Sequence, residues 1–222
     1  MSENIGRTFD LVTLGQLLLR LSPPNNERLT RCDVFEKQVG GAELNVAVGV
    51  SLLGLHTGII SKIPSHDIGS FMKGKIRSYG VSDDFFIYDK SPSARVGIYY
   101  YENGAYPRKP KVIYDRSNSS FYSLNIDEIP PEVYSATRCF HTSGITLALS
   151  PEIRKTAIEM IKRFKAAGTL VSFDVNFRGN LWSGQEAREC IEQILPYVDI
   201  FFCSEDTARL TFLKTGTVRE MM

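Results

Sequence analysis

The segment Gly40-Gly41-Ala42-Glu43-Leu44-Asn45 joins two glycines to the start of a helix-forming run. Paired glycines let backbone N–H groups approach a ligand closely, and the helix that follows points its positive end at the same place. Asn45, on the first turn, could reach a hydroxyl. The same pattern alone also serves a purely structural helix start. A second cluster, Asp174-Val175-Asn176-Phe177-Arg178, lies at the C-terminal end of a strand-like run. That edge is where open α/β sheets place ligands, and Arg178 is suited to clamp a phosphate or carboxylate, although an exposed loop arginine is equally ordinary. His141-Thr142-Ser143-Gly144-Ile145 ends another strand on the same edge. Tyr114-Asp115-Arg116 follows close behind Tyr99, Tyr100 and Tyr101. Phenols and a guanidinium suit an acidic, hydroxylated small molecule, while tyrosines on a sheet also serve packing or a dimer contact.

Two other patterns fail on chemical grounds. Gly69 to Ile76 spaces its glycines and Lys75 like a P-loop, but Ile76 cannot ligate Mg²⁺, and Phe71 and Met72 belong to an apolar helical stripe. Cys139 and His141 share a strand face, yet nothing around them builds a thiol nucleophile. The four cysteines are dispersed, without a C-x-x-C pair, and read as reduced thiols in a cytoplasmic protein.

The elements that position these groups alternate. Strands are expected at Phe9–Leu14, Leu17–Leu21, Ile59–Ile63, Cys139–Thr142, Thr169–Asp174 and Ile200–Cys203. Helices are expected at 42–53, 68–79, 151–167 and 185–195. The third has Ser150 as N-cap and Pro151 at its first position. Repeated β-α-β units imply a mostly parallel sheet flanked by helices. Between Asp84 and Ser123 the pattern changes to short strands, 85–88, 96–101 and 111–114, expected to form a small antiparallel sheet inserted into the α/β domain. Thr217-Val218-Arg219-Glu220 has the form of a capping box announcing a helix two residues before the chain stops, so a truncated chain is expected.

At 222 residues the chain is long enough for one large domain. Twenty-six Lys+Arg against 25 Asp+Glu leaves a net charge of +1, which gives no support to nucleic-acid or membrane-surface binding. No apolar run approaches a membrane span, and the N-terminus lacks a signal-peptide profile. The Asn118-Ser119-Ser120 sequon is read as chance.

Taken together, Gly40–Ala47 with Leu52-Leu53-Gly54, Asp67-x-x-Gly69, His141–Thr146, and Asp174–Arg178 with Leu181-Trp182 resemble the PfkB (ribokinase-like) sugar kinases, and most closely the 2-keto-3-deoxygluconate kinases. The resemblance runs from Phe9 to the chain end. It implies a ribokinase-like three-layer α/β sandwich over residues 1–222, incomplete at its C-terminus, with a β-sheet lid drawn from about 15–38 and 85–123. It implies ATP-dependent, Mg²⁺-assisted phosphorylation of a sugar acid and a homodimer formed through the lid. Alternatives are a kinase for a fructose- or ribose-type sugar, or a non-catalytic sugar-acid-binding module. By position, Gly41, Asn45, Tyr99, Tyr114, Arg116, Ile145 and Arg178 would line the substrate site, with Tyr114, Arg116 and Arg178 recognising the carboxylate end and hydroxyls. Ser204 and Glu205 would stand in the nucleotide and Mg²⁺ element, where Ser204 and Thr207 replace the family's Asn and Glu. Gln16 stands where relatives usually carry Glu. The family's Gly-Ala-Gly-Asp motif, whose Asp is the catalytic base, does not occur, so the chain is expected to be inactive or nearly so.

Overall fold

A strand whose residues are apolar on both faces needs cover on both sides. Phe9–Leu14 is such a strand: Phe9, Leu11, Val12 and Leu14 are all buried. The computed structural model, which describes residues 6–221, places it in the middle of the main sheet. Residues 1–5, part of the N-terminus read above as lacking a signal, and Met222 lie outside the described residues.

In chain order the elements are β1 (Phe9–Leu14), β2 (Leu18–Ser22), β3 (Glu36–Gly40), α1 (Ala42–Leu52), β4 (Thr57–Pro64), α2 (Asp67–Ser78), β5 (Val81–Ser82), β6 (Phe86–Asp89), β7 (Gly97–Glu102), β8 (Lys111–Asp115), α3 (Val133–Ala136), β9 (Thr137–Ser143), α4 (Gly144–Ala148), α5 (Pro151–Ala166), β10 (Leu170–Asp174), α6 (Gly184–Ile194), β11 (Ile200–Phe202), α7 (Glu205–Phe212) and α8 (Val218–Met221). The main sheet runs β11-β10-β9-β1-β4-β5, with β6 on the far part of β4, and every pairing is parallel. Alternation along β4 separates the two faces. Ile59 and Ile63 pack with Leu44, Met72 and Ile76 of α1 and α2, whereas Ile60 turns into the core shared with α5 and α6. This is the expected three-layer α/β sandwich.

The expected helix signals operate locally. Ser150 Oγ accepts from Ile153 N–H at 3.2 Å, and Ile153, Ala157, Met160, Ile161 and Phe164 form a fully buried stripe. At the far end of the chain, Glu220 accepts from both the N–H and the hydroxyl of Thr217 as α8 begins.

The smaller sheet, order β3-β2-β7-β8, is built from segments expected to form the lid and takes that label. It departs from expectation in two respects. It is mixed rather than antiparallel, because β2 and β7 pair in parallel across the intervening α/β segment. Its span is also narrower than 85–123. Phe86–Asp89 pairs with Ser61–Pro64 in the main sheet, and Phe121 and Leu124 are buried in the core beside α5. Period-two alternation identifies a strand but does not name its partner, so local pattern could not tell β6 from the lid strands beside it.

Candidate functional site

The main sheet reverses its winding at β1, which has β4 on one side and β9 on the other. A crevice opens there at the C-terminal strand ends, as expected for an open α/β sheet. The lid stands over it. The resulting cleft holds about 410 Å³ and draws its walls from five chain segments. Gln16 follows β1, and Leu18 and Arg20 come from β2. Gly41, Glu43 and Asn45 open α1. Tyr99, Tyr101, Val112, Tyr114 and Arg116 come from the lid strands and their exit. Ile145 lies in α4, and Arg178 with Leu181 follows β10. All seven residues expected at a substrate site thus share one cleft.

Each position has a local cause. Alternation along β7 and β8 turns Tyr99, Tyr101 and Tyr114 inward, with the rings of Tyr99 and Tyr114 5.9 Å apart. The two glycines make room for protein neighbours. A Cβ at Gly40 would stand 2.7 Å from the Tyr99 hydroxyl, and one at Gly41 would stand 2.8 Å from the Gln16 carbonyl oxygen. Ile145 enters the wall because Ser143 caps α4, its hydroxyl accepting from Ile145 N–H. Arg178 follows a tight turn in which Asp174 accepts from Asn176 N–H at 3.0 Å and Asn176 takes a positive φ of 36°.

Charge is distributed unevenly in the cleft. Arg116 donates its Nε–H and an Nη2–H to Gln16 Oε1, at 2.9 and 2.6 Å. Arg178 makes no side-chain hydrogen bond among the described residues, and Arg20, Arg116 and Arg178 are absent from their ion pairs. The one carboxyl in the wall, Glu43, is 2% exposed and accepts from Ser143 Oγ at 2.6 Å and Thr146 Oγ1 at 2.9 Å. Burial pushes its pKa above the usual glutamate range. Burial likewise lowers the Arg116 guanidinium, which still stays protonated. The cleft therefore presents cations and phenols and suits an acidic, hydroxylated ligand. No role was expected for Glu43, although it sits inside the glycine motif, or for Arg20, and Tyr101 was expected only as part of the tyrosine cluster.

The remaining candidates fall elsewhere. Gly69 lies inside α2, where a Cβ would collide with the Pro64 carbonyl, so this glycine serves helix–strand packing and not a phosphate loop. Cys139 and His141 form no catalytic pair. Burial pushes the thiol up to about 11 and the imidazole down to about 4, and His141 Nδ1 meets Ser172 Oγ at 2.9 Å. Ser204 and Glu205 do not line the cleft. Ser204 Oγ caps α7 by accepting from Thr207 N–H and donates to Thr207 Oγ1, while Glu205 pairs with Arg209 at 2.7 Å. Glu205 is exposed and its pair with Arg209 is an i,i+4 surface contact, so both groups have local partners and stand apart from the cleft. No cluster of three His, Cys, Asp or Glu among the described residues could hold a metal ion. No described helix is long and apolar enough to cross a membrane.

Residues 8–221 match the pfkB family carbohydrate kinase profile. The chain belongs to that family. It is 38% identical over 202 residues to a 2-dehydro-3-deoxygalactonokinase of Haloferax volcanii, covering 91% of this chain and 63% of that protein. A 2-dehydro-3-deoxygluconokinase of Bacillus subtilis is 29% identical over 197 residues, which is 87% of this chain and 60% of that one. The crystal structure of a 2-dehydro-3-deoxygluconokinase from Thermotoga maritima superposes with a TM-score of 0.88 at 33% identity, covering 93% of this chain and 63% of that chain. A Pyrococcus horikoshii sugar kinase in complex with ATP gives a TM-score of 0.79 at 27% identity, covering 91% and 66%. The chain thus spans a little under two thirds of the length of these relatives.

Proposed function

We propose that the cleft binds a 2-keto-3-deoxy sugar acid, of the gluconate or galactonate type, and that the chain belongs to an ATP-dependent kinase acting on a hydroxyl of that acid. The observation that carries this reading is the pairing of two guanidinium groups, Arg116 and Arg178, neither of them discharged by a carboxylate, with tyrosines in one cleft. A planar carboxylate satisfies a guanidinium fork, and phenolic hydroxyls with Asn45 suit the carbon chain's hydroxyls. The names of the relatives support the substrate class. ATP would supply the phosphoryl group.

The Gly-Ala-Gly-Asp motif does not occur in these 222 residues, which favours binding of the acid without turnover by this chain. Titration of 2-keto-3-deoxygluconate is expected to give saturable binding that Arg178→Met weakens at least tenfold, on the order of one charge-assisted hydrogen bond. No saturable heat would refute the substrate. ADP release above background from ATP and the acid would refute the inactivity.

The lid face turned away from the cleft carries Phe35, Tyr100 and Ile113, with Phe35 and Tyr100 in edge contact at 5.8 Å. That apolar surface supports a homodimer through the lid. Sedimentation of Ile113→Asp as a monomer, against a wild-type dimer, is the expected outcome.

A further inference from the structure

Gln16 is held by four contacts. Its Oε1 accepts from Arg116 Nε and Nη2, and its Nε2 donates to the Arg116 carbonyl oxygen at 3.1 Å and to Ser119 Oγ at 2.7 Å. The orientation of the amide is fixed by this network, because turning it over would set an NH₂ group against a guanidinium. The residue is 3% exposed, and its partners lie 100 and 103 positions away in the chain. Space for it is reserved: a Cβ at Gly97 would stand 2.9 Å from Gln16 Nε2 and 3.2 Å from Arg116 Cα.

One side chain therefore grips Arg116 at both its backbone and its head, and the grip uses an uncharged acceptor. Two consequences follow. First, the Arg116 head is fixed before a ligand arrives, so a carboxylate meeting it does not pay for ordering a long, rotamer-rich side chain. Second, the positive charge of Arg116 is left for the ligand, which a carboxylate at position 16 would partly cancel.

We propose that Gln16 is a positioning residue that presents Arg116, orientated and undischarged, to the carboxylate of the ligand. This rests on the sugar-acid reading above and extends it to a residue outside the seven substrate-lining positions. The test is a double-mutant cycle read by calorimetry on the 222-residue chain with 2-keto-3-deoxygluconate, comparing wild type, Gln16→Met, Arg116→Lys and the double variant. Gln16→Met is expected to weaken binding about tenfold in the wild-type background and less than twofold when residue 116 is lysine, which cannot accept the same two-point grip. A residue that merely supports the fold would cost the same in both backgrounds, and that result would overturn the proposal, as would unchanged affinity of Gln16→Met. If Gln16→Met melts below the assay temperature, Gln16→Glu answers in its place: about tenfold weaker binding is expected, and wild-type affinity overturns the proposal. Absence of binding by wild type overturns the substrate reading and this proposal with it, whereas binding that ignores position 16 overturns this proposal alone.

Discussion

Glu43 Oε1 lies 2.6 Å from the Ser143 hydroxyl, and this contact between residues 100 apart in the chain ties the first turn of α1 to the start of α4. Thr146 donates to the same oxygen, and a Cβ at Gly15 would overlap the other carboxyl oxygen. The three segments that carry Gln16, Asn45 and Ile145 into the cleft thus converge on one buried carboxyl.

Removing that acceptor is expected to cost stability. Glu43→Ala strands two buried hydroxyls, a loss of about 2–4 kcal/mol, while Glu43→Gln keeps an acceptor oxygen for them. The pH dependence distinguishes the variants. Burial raises the pKa of Glu43 in the folded state, so the folded state prefers the protonated form. The contribution to stability is complete below the ordinary carboxylate range, about pH 4, and is lost as pH rises through the higher folded value. Wild type is therefore expected to gain on Glu43→Gln in denaturant titrations as pH falls from 7 towards 4. A wild type that gains as pH rises would contradict this account.

His141 acts in the opposite sense. Its imidazole is buried and drawn down from 6.5 to about 4, so the folded state holds it neutral. Stability is present above pH 6.5 and drains as pH falls towards 4, by about 3 kcal/mol at the limit. Replacing it by Gln, which does not titrate, is expected to flatten that acid limb in chemical unfolding. An unchanged limb would place the acid sensitivity elsewhere.

Gly69→Ala is expected to destabilise the chain by about 1–3 kcal/mol, because the added methyl meets the Pro64 carbonyl across a tightly packed helix–strand contact. Lys75→Ala is expected to leave sugar-acid affinity unchanged, since Lys75 is an ordinary residue of α2 and not a phosphate-loop lysine. Thermal unfolding reads the first variant and calorimetry the second. A Lys75 variant that lost sugar-acid binding would contradict this placement of Lys75 outside the cleft.

Much of the fold was legible because its signals are local. The Ser150 cap, the stripe from Ile153 to Phe164 and the capping box at Thr217 each lie within a few residues. The placement of Gly41, Tyr114, Arg116 and Arg178 in one cleft was legible through motifs and their order. What the sequence did not disclose depends on distant pairing. The partner of β6 is β4, and the partners of Gln16 and Glu43 lie about a hundred residues on. No spacing rule links such positions, and a buried amide or carboxyl reads like any surface one until its neighbours are known. Ser204 and Glu205, by contrast, find their partners, Thr207 and Arg209, within about one turn of α7.

The proposed substrate requires this cleft to select its ligand by a carboxylate. The most direct measurement compares wild-type binding of 2-keto-3-deoxygluconate with that of 3-deoxyfructose, in which CH₂OH replaces the carboxylate, by calorimetry on the same preparation. The acid is expected to bind at least tenfold more tightly, with the margin shrinking as salt rises. Equal affinity for the two, at low and high salt alike, would contradict it.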